Sequence, residues 1–294
     1  MKVKRILVAT DFSAAGTHAV QEAAAWASRT GAALRVVHVV PPARWLKGPW
    51  GRETSDLAVL RSNAADVLRQ AADAISASAR VELSTALLSG HASREIIRAA
   101  RDFKCDLLVV GAVGERARSS RKPALGGTAE KLVASATVPL LIVRMRPKPA
   151  PLRVLAAVDL TPVSQRVLNW AAAAAAGGKL GVLHVYEVPF AARLETYRVS
   201  ATAIDVYAKD EQDRREARLE ELLAFHEKLG PIPLVVRGDP ILQLFSHIER
   251  FDASLVVLGQ HSRRKPRDLR AIFGSVCRHA TTFARVNTLV VPAH

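Results

Sequence analysis

The sequence predicts an α/β protein of two tandem doubly wound domains, each a five-stranded parallel sheet with helices on both faces. Three observations carry the prediction. The chain of 294 residues is longer than one compact core usually needs and suits two domains. Short Val- and Leu-rich runs alternate with longer stretches of helical periodicity, which is typical of parallel sheets covered by helices. The third observation is that one pattern of residues occurs twice along the chain.

The repeat is visible at several separated positions. RILVATDFS near the start aligns with RVLAAVDLT at a spacing of 148 residues, and the same spacing relates Gly111 to Gly259. A proline-rich stretch, MRPKPAPLR, separates the two copies and is typical of a linker. We therefore expect domain boundaries at 1–146 and 151–294.

Each copy contains five predicted strands in alternation with helices. In the first copy, Ser13 is a suitable N-cap for the first helix, and Gly31 ends that helix. A long amphipathic helix is predicted from about Glu53 to Ser78. The predicted strands are VKRILVA, ALRVVHVV, VELSTALLS, LLVVGA and PLLIVRM in the first copy, and RVLAAV, KLGVLHVY, IPLVVR, SLVVLG and NTLVVP in the second.

Composition limits the kinds of binding partner and the cellular compartment that we expect for this protein. The formal net charge of +15 favours anionic partners such as nucleotides or nucleic acid, and a generally basic proteome explains it equally well. No apolar stretch reaches the roughly 18–20 residues of a membrane span, so we expect no membrane insertion and a cytoplasmic protein. Cys105 and Cys277 fit a reducing compartment and are expected to be buried and structural. No second ligand pair accompanies Cys277 and His279, which argues against zinc.

Polar residues and glycines gather where the predicted strands of the first copy end. Asp11 follows the first strand, Gly111 and Gly114 follow the fourth, and Gly127-Thr128 opens the next helix. Ligands of parallel sheets bind beyond these strand ends, and a helix N-terminus suits phosphate. Glycines allow tight turns and a close approach of backbone to ligand, and an aspartate can accept from a ribose hydroxyl or a base amino group. The simpler interpretation, a turn and a helix cap without a ligand, remains open.

Several catalytic and nucleotide-binding motifs are missing from the sequence. There is no G-x-x-x-x-G-K-[ST], no G-x-G-x-x-G after the first strand, no G-x-S-x-G and no H-E-x-x-H. These absences argue against a P-loop NTPase, a Rossmann dinucleotide site, an α/β-hydrolase and a zinc protease. We predict no catalytic residue and no metal ligand. His38 and His184, in equivalent second strands, are expected to be structural.

The combination of RILVATDFS, VVHVV, DLLVVGAVG and GGTAEKLVASATVPLLIVR resembles the universal stress protein family, and the resemblance covers both copies. It implies a strand order of 3-2-1-4-5 in each domain. It also implies binding of ATP or AMP, with or without Mg²⁺, through a G-x2-G-x9-G-[ST] pattern after the fourth strand.

The resemblance assigns nucleotide contacts residue by residue. Twelve residues separate Gly114 from Gly127, three more than in the family pattern, although the intervening loop is basic at Arg116, Arg118, Arg121 and Lys122. The predicted first-copy contacts are Ala9, Thr10, Asp11, Val39, Val110, Gly111, Gly114, Gly127, Thr128 and Ala129.

The second copy departs further from the family pattern, because Ser262 replaces the second glycine. Its candidate contacts are Ala157, Asp159, Val185, Gly259, Gly274, Ser275 and Val276, with Gly274-Ser275 aligned to Gly127-Thr128 at a spacing of 147. We therefore expect nucleotide to bind mainly in the first copy.

The resemblance implies a cytoplasmic stress-response protein that binds adenine nucleotide and acts as a sensor or adaptor, with at most weak ATPase activity or autophosphorylation. The last strands are expected to join the two halves around a pseudo-two-fold axis, and two such chains are expected to form a homodimer. The alternative is a nucleotide-free interaction module whose basic loops bind nucleic acid or an acidic protein partner. The aromatic-interleaved basic motifs of RNA-binding proteins are absent, which disfavours that alternative.

Overall fold

The structure is a computed structural model that describes residues 2–42, 56–78, 80–114, 125–147, 152–188, 197, 199–260 and 274–293. In the first half, the strands are β1 (Arg5–Ala9), β2 (Ala33–Val40), β3 (Leu83–Ser89), β4 (Leu107–Gly111) and β5 (Leu140–Val143). The helices between them are α1 (Ala14–Thr30), α2 (Asp56–Ser78), α3 (Ala92–Asp102) and α4 (Gly127–Ser135).

The second half repeats this order of elements. Its strands are β6 (Arg153–Val158), β7 (Lys179–Tyr186), β8 (Ile232–Arg237), β9 (Leu255–Gly259) and β10 (Asn287–Val291). Its helices are α5 (Pro162–Ala174), α6 (Ala201–Leu223), α7 (Pro240–Arg250) and α8 (Ser275–Phe283), and a 3₁₀ helix (Ala224–Leu229) follows α6.

All ten strands form one sheet in the order β3-β2-β1-β4-β5-β10-β9-β6-β7-β8. Each half therefore has the order 3-2-1-4-5, and every pairing within a half is parallel. The predicted fold of two doubly wound domains is confirmed. The strand order switches between β1 and β4, and again between β6 and β9, and at each switch the carboxyl ends of the strands open towards a crevice.

The halves meet where β5 pairs antiparallel with β10, with Leu141 opposite Leu289. Both strands are buried throughout, because β5 is LLIV and β10 is NTLVV and each has a helix layer on both faces. The predicted joining of the halves through their last strands is present in this pairing.

Two apolar layers cover the two faces of the sheet and run through both halves. One layer contains α1 and α5, whose Trp26 and Trp170 rings lie 6.2 Å apart across the junction between the halves. The other layer contains the inward faces of α3, α4, α7 and α8, and both cysteines are buried in it. The core is therefore continuous from one half to the other.

Glu22 is a carboxylate buried in the layer of α1, with 5% of its surface exposed. Burial raises the pKa of Glu22 above its usual value, and the nearby Arg29 offsets this only in part. The folded protein therefore holds the carboxyl proton of Glu22 more tightly than the unfolded chain does. The stability that this contributes is present at low pH and is lost as the pH rises through the raised pKa of Glu22.

We expect Glu22→Gln to raise the melting temperature at pH 7, because a neutral amide avoids burying a charge. The difference from the parent protein should narrow as the pH falls towards 4, where Glu22 is itself protonated. Thermal denaturation between pH 4 and 8 measures this, with Glu249→Gln as a control on an exposed carboxylate. A lower melting temperature for Glu22→Gln at pH 7 would contradict the claim that the buried charge of Glu22 destabilises the folded protein.

Candidate functional site

The turn after β1 is built around the Asp11 carboxylate. The backbone N–H and the hydroxyl of Ser13 donate to Asp11 Oδ1 at 3.1 and 2.5 Å. The intervening Phe12 has a φ of 62°, a left-handed conformation that is unfavourable for a bulky residue. Such strain persists only where surrounding contacts enforce it, and it concentrates at functional sites.

The second half contains the same turn. The backbone N–H and the hydroxyl of Thr161 donate to Asp159 Oδ1 at 3.0 and 2.6 Å, and Leu160 has a φ of 60°. Ser164 adds a third donor, because its hydroxyl lies 3.0 Å from the same oxygen. Both halves therefore fix an aspartate at the end of their first strand by the same local hydrogen bonds.

His38 and His184 hold these turns from the neighbouring strands. His38 Nδ1 lies 2.8 Å from the carbonyl of Thr10, and His184 Nδ1 lies 3.0 Å from the carbonyl of Val158. Because a carbonyl oxygen can only accept, Nδ1 of each ring donates. Burial lowers the pKa of His184, so that ring stays neutral. Both side chains position backbone, in line with the structural role that we expected.

The glycines after β4 allow close packing through their missing side chains. A Cβ atom on Gly114 would lie 2.7 Å from Asp11 Oδ2, and one on Gly111 would lie 2.8 Å from the carbonyl carbon of Ala15. Neither glycine has a positive φ, so the expected tight-turn role is not the reason for them here. They bring Asp11, the start of α1 and the end of β4 into one cluster.

The N-terminus of α4 faces the same cluster. Its N-cap is Gly126, which has no side chain to cap the helix and whose N–H donates to the carbonyl of Ala112. The first-turn N–H groups of any helix lack intrahelical partners. A Cβ atom on Gly127 would meet nothing within 4 Å, and Gly127 and Thr128 are both exposed. Among the described residues, the space beside Gly127 is therefore open, and the backbone donors of this helix start suit an anion.

The helix α8 begins in the same way in the second half, with Gly274 as its N-cap and no capping side chain. Gly274 therefore takes the place of Gly126, and Ser275 takes the place of Gly127. The sequence alignment had matched Gly274 to Gly127, one residue away from the equivalence of the helix starts. The sequence alignment pairs Gly274-Ser275 with Gly127-Thr128 because each is a glycine followed by a hydroxyl residue. The structure pairs Gly274 with Gly126 because both are N-caps.

A cavity of about 560 Å³ lies at the strand ends of the second half. Seven predicted contacts lie in its wall: Ala157, Asp159, Val185, Gly259, Gly274, Ser275 and Val276. The other described residues of the wall were not predicted as contacts, although Cys277 was expected to be buried: Val158, Val163, Ser164, Val167, Leu183, Pro240, Leu244, Leu258 and Cys277. The apolar periodicity of α5 and α7 is the sequence signal that could have identified Val163, Val167 and Leu244.

A second cavity, of about 400 Å³, lies in the first half between α1 and α2. Of the predicted first-half contacts, its wall contains only Thr10. The other predicted residues lie around the ends of β1, β2 and β4 and the start of α4. Ser262 and the basic loop residues Arg116, Arg118, Arg121 and Lys122 lie outside the described residues.

The described residues contain no group of three or more His, Cys, Asp or Glu side chains that could hold a metal ion. No helix among these residues is long and apolar enough to cross a membrane.

Cys277 forms part of the wall of the second-half cavity and is 2% exposed. Burial raises the pKa of its thiol to about 12, and the pKa of Cys105 is raised to a similar value. Because the thiolate is the reactive form, both cysteines are expected to be inert in the folded protein. A thiol-reactive chromogenic disulfide at pH 8 should modify neither cysteine until denaturant is added. Rapid modification of either one in the native protein would contradict this burial.

Comparison with solved structures identifies relatives of the whole chain. A universal stress protein from Archaeoglobus fulgidus is 18% identical, with all of both chains covered and a TM-score of 0.73. A putative universal stress protein from Pseudomonas aeruginosa is 15% identical, with 99% of this chain and 93% of that chain covered and a TM-score of 0.62. A universal stress protein in complex with cAMP matches at half length: it is 22% identical, with 49% of this chain and 98% of that chain covered and a TM-score of 0.38.

A comparison with curated proteins finds no match to the chain. The profile of the universal stress protein family, in contrast, matches twice, over residues 2–144 and 152–292. The two matches together span nearly the whole sequence, and they coincide with the two halves of the ten-stranded sheet. The chain therefore belongs to the universal stress protein family, as a tandem member with two copies of the fold.

Proposed function

We propose that this protein binds an adenine nucleotide, ATP or AMP, at the strand ends of each half and acts as a cytoplasmic stress-response sensor or adaptor. The observation that supports this most is the second-half cavity, whose wall includes every second-half residue that the family resemblance selected. Its volume of about 560 Å³ falls within the roughly 300–1,000 Å³ of small-molecule pockets.

The wall of this cavity suits the parts of a nucleotide. Its apolar side chains, such as Leu183, Val185 and Leu258, suit the flat faces of a base. Asp159 lies in the cavity wall, and a carboxylate is a suitable acceptor for ribose hydroxyls. The N-terminus of α8, without a capping side chain, suits phosphate oxygens.

The first half offers equivalent groups. Asp11 lies against Gly114, and the open start of α4 at Gly127-Thr128 supplies backbone donors and a hydroxyl. Val39 and Ala9 are the counterparts of Val185 and Ala157 beside the base. That the first half is the main site remains a prediction, which rests on its two glycines after β4, Gly111 and Gly114, where the second half has Gly259 and Ser262.

Binding without turnover is the role that the described wall of the second-half cavity favours. Its ionisable side chains are Asp159, which is fixed by its turn, and Cys277, whose pKa burial raises to about 12. Neither is placed as a general base. The proposal includes domains at 1–146 and 151–294 and a homodimer of tandem chains.

Calorimetric titration of the purified protein with ATP, AMP and GTP tests the proposal, together with mass spectrometry of any nucleotide that copurifies. We expect saturable binding of ATP or AMP that exceeds binding of GTP. No copurified nucleotide and no heat of binding at millimolar ATP would overturn it. Binding of RNA or DNA that falls steeply with salt, without any nucleotide binding, would instead support the nucleotide-free module.

A further inference from the structure

We propose that each candidate site is positioned by the opposite half of the chain. Arg144 of the first half holds the helix that forms the second site, and Gln260 of the second half holds the helix that forms the first site. The two sites are thereby energetically coupled. This inference rests on the proposed function, because it concerns the affinity of the two sites for nucleotide.

Arg144 follows β5 and reaches across the junction to the C-terminus of α8. Its Nη2 donates to the backbone carbonyls of Thr281 and Thr282, the latter at 3.1 Å. Carbonyls in the last turn of a helix have no intrahelical donor, so a guanidinium there supplies the missing hydrogen bonds. Its positive charge also complements the negative end of the helix dipole.

The segment that carries Arg144 is itself anchored to the second half. Asn287, at the start of β10, is 7% exposed. Its Oδ1 accepts from the backbone N–H groups of Arg144 and Met145 at 2.9 and 3.1 Å. The guanidinium is therefore aimed by an antiparallel strand pairing and by two further hydrogen bonds.

Gln260 makes the corresponding contact in the opposite direction. It follows Gly259 of the second site and is 9% exposed, and its Nε2 donates to the carbonyl of Val133 in the last turn of α4 at 3.4 Å. Val133 and Thr281 are equivalent residues, 148 positions apart. The two acceptor carbonyls are therefore equivalent, whereas the donors are not, because Arg144 follows the fifth strand of its half and Gln260 follows the fourth. The longer bond of Gln260 is the weaker one.

Short connections link these contacts to the two sites. Gly111 of the first site pairs with Val143, the residue before Arg144, and the N-terminus of α8 forms part of the second site. In the opposite direction, Gly259 of the second site precedes Gln260, and the N-terminus of α4 forms part of the first site. A ligand that shifts or stiffens one helix therefore acts on the contact made by the other half. By linkage, any such effect on affinity is reciprocal.

The test separates the two sites in the full-length chain. Gly127→Val leaves only the second site able to bind, and Ala157→Phe leaves only the first. Adding Arg144→Met should weaken ATP binding at the second site roughly fivefold or more and change the first site less than twofold. Gln260→Leu should show the opposite selectivity with a smaller effect. Arg146→Met, in the same segment but exposed, is the control and should change neither site.

Amide hydrogen exchange of residues 275–284 in the ligand-free protein is the second measurement. Arg144→Met should accelerate it, Arg144→Lys should partly restore protection, and Arg146→Met should have no effect. Unchanged affinity at the second site, or equal losses at both sites, would overturn the inference while leaving the proposed function intact. If the parent protein binds no nucleotide, the proposed function fails, and unchanged exchange in α8 would then overturn the positioning role as well.

Discussion

Gly127→Val is expected to abolish nucleotide binding in the first half and to leave the fold unchanged. A Cβ atom at this position meets no atom of the described residues within 4 Å, so we expect the ligand-free protein to accommodate the new side chain. The same side chain would occupy the space in front of the first turn of α4, where we place the phosphates. We expect affinity at the first site to fall by at least about 100-fold, which corresponds to about 2.7 kcal/mol.

The measurement is a titration with ATP in the Ala157→Phe background, together with a melting curve. Ala201→Val is the matched control, because Ala201 is the exposed first residue of α6. It introduces the same side chain at the same helix position and should leave binding unaffected. Unaltered ATP affinity in Gly127→Val would show that the phosphates do not lie at the start of α4.

Ala157→Phe is expected to fill the second-half cavity and block it to ligand. Ala157 lies one residue before the carboxyl end of β6. Its side chain is half-buried and forms part of the cavity wall. A phenyl ring at this position would occupy the apolar part of the cavity, where we place the base. We again expect a loss of at least about 100-fold in affinity at the second site, with the first site unaffected.

Ala157→Ser is the control for this variant, because it alters the same position without filling the cavity, and it should retain most of the affinity. The titration is carried out in the Gly127→Val background, so that only the second site contributes. Full ATP binding by Ala157→Phe in that background would place the ligand outside the cavity.

Much of the fold could be predicted because a strand that is buried on both faces consists almost entirely of apolar residues. LLVVG and LVVLG are apolar throughout, and in the structure both are covered by helices on both faces. The repeat at a spacing of 148 residues then predicts two domains of the same topology. The strand order came with the family resemblance, because apolar periodicity does not distinguish one order of parallel strands from another.

The parts of the site that escaped prediction depend on three-dimensional packing. The left-handed conformations of Phe12 and Leu160 could not be foreseen, because neither residue type favours them and surrounding hydrogen bonds impose them. Ser164 resembled an ordinary helical residue, yet it donates to Asp159 in the cavity wall. Arg144 resembled the polar end of a strand, and only the junction between the halves brings it to α8.

The stoichiometry of ATP binding tests the central claim most directly. It should be measured by calorimetry on the parent protein, on Gly127→Val, on Ala157→Phe and on the double variant, all with unchanged melting curves. The account predicts that each single variant loses one of the two sites and that the double variant binds no nucleotide. A double variant that binds ATP as the parent protein does would contradict the placement of nucleotide at the strand ends.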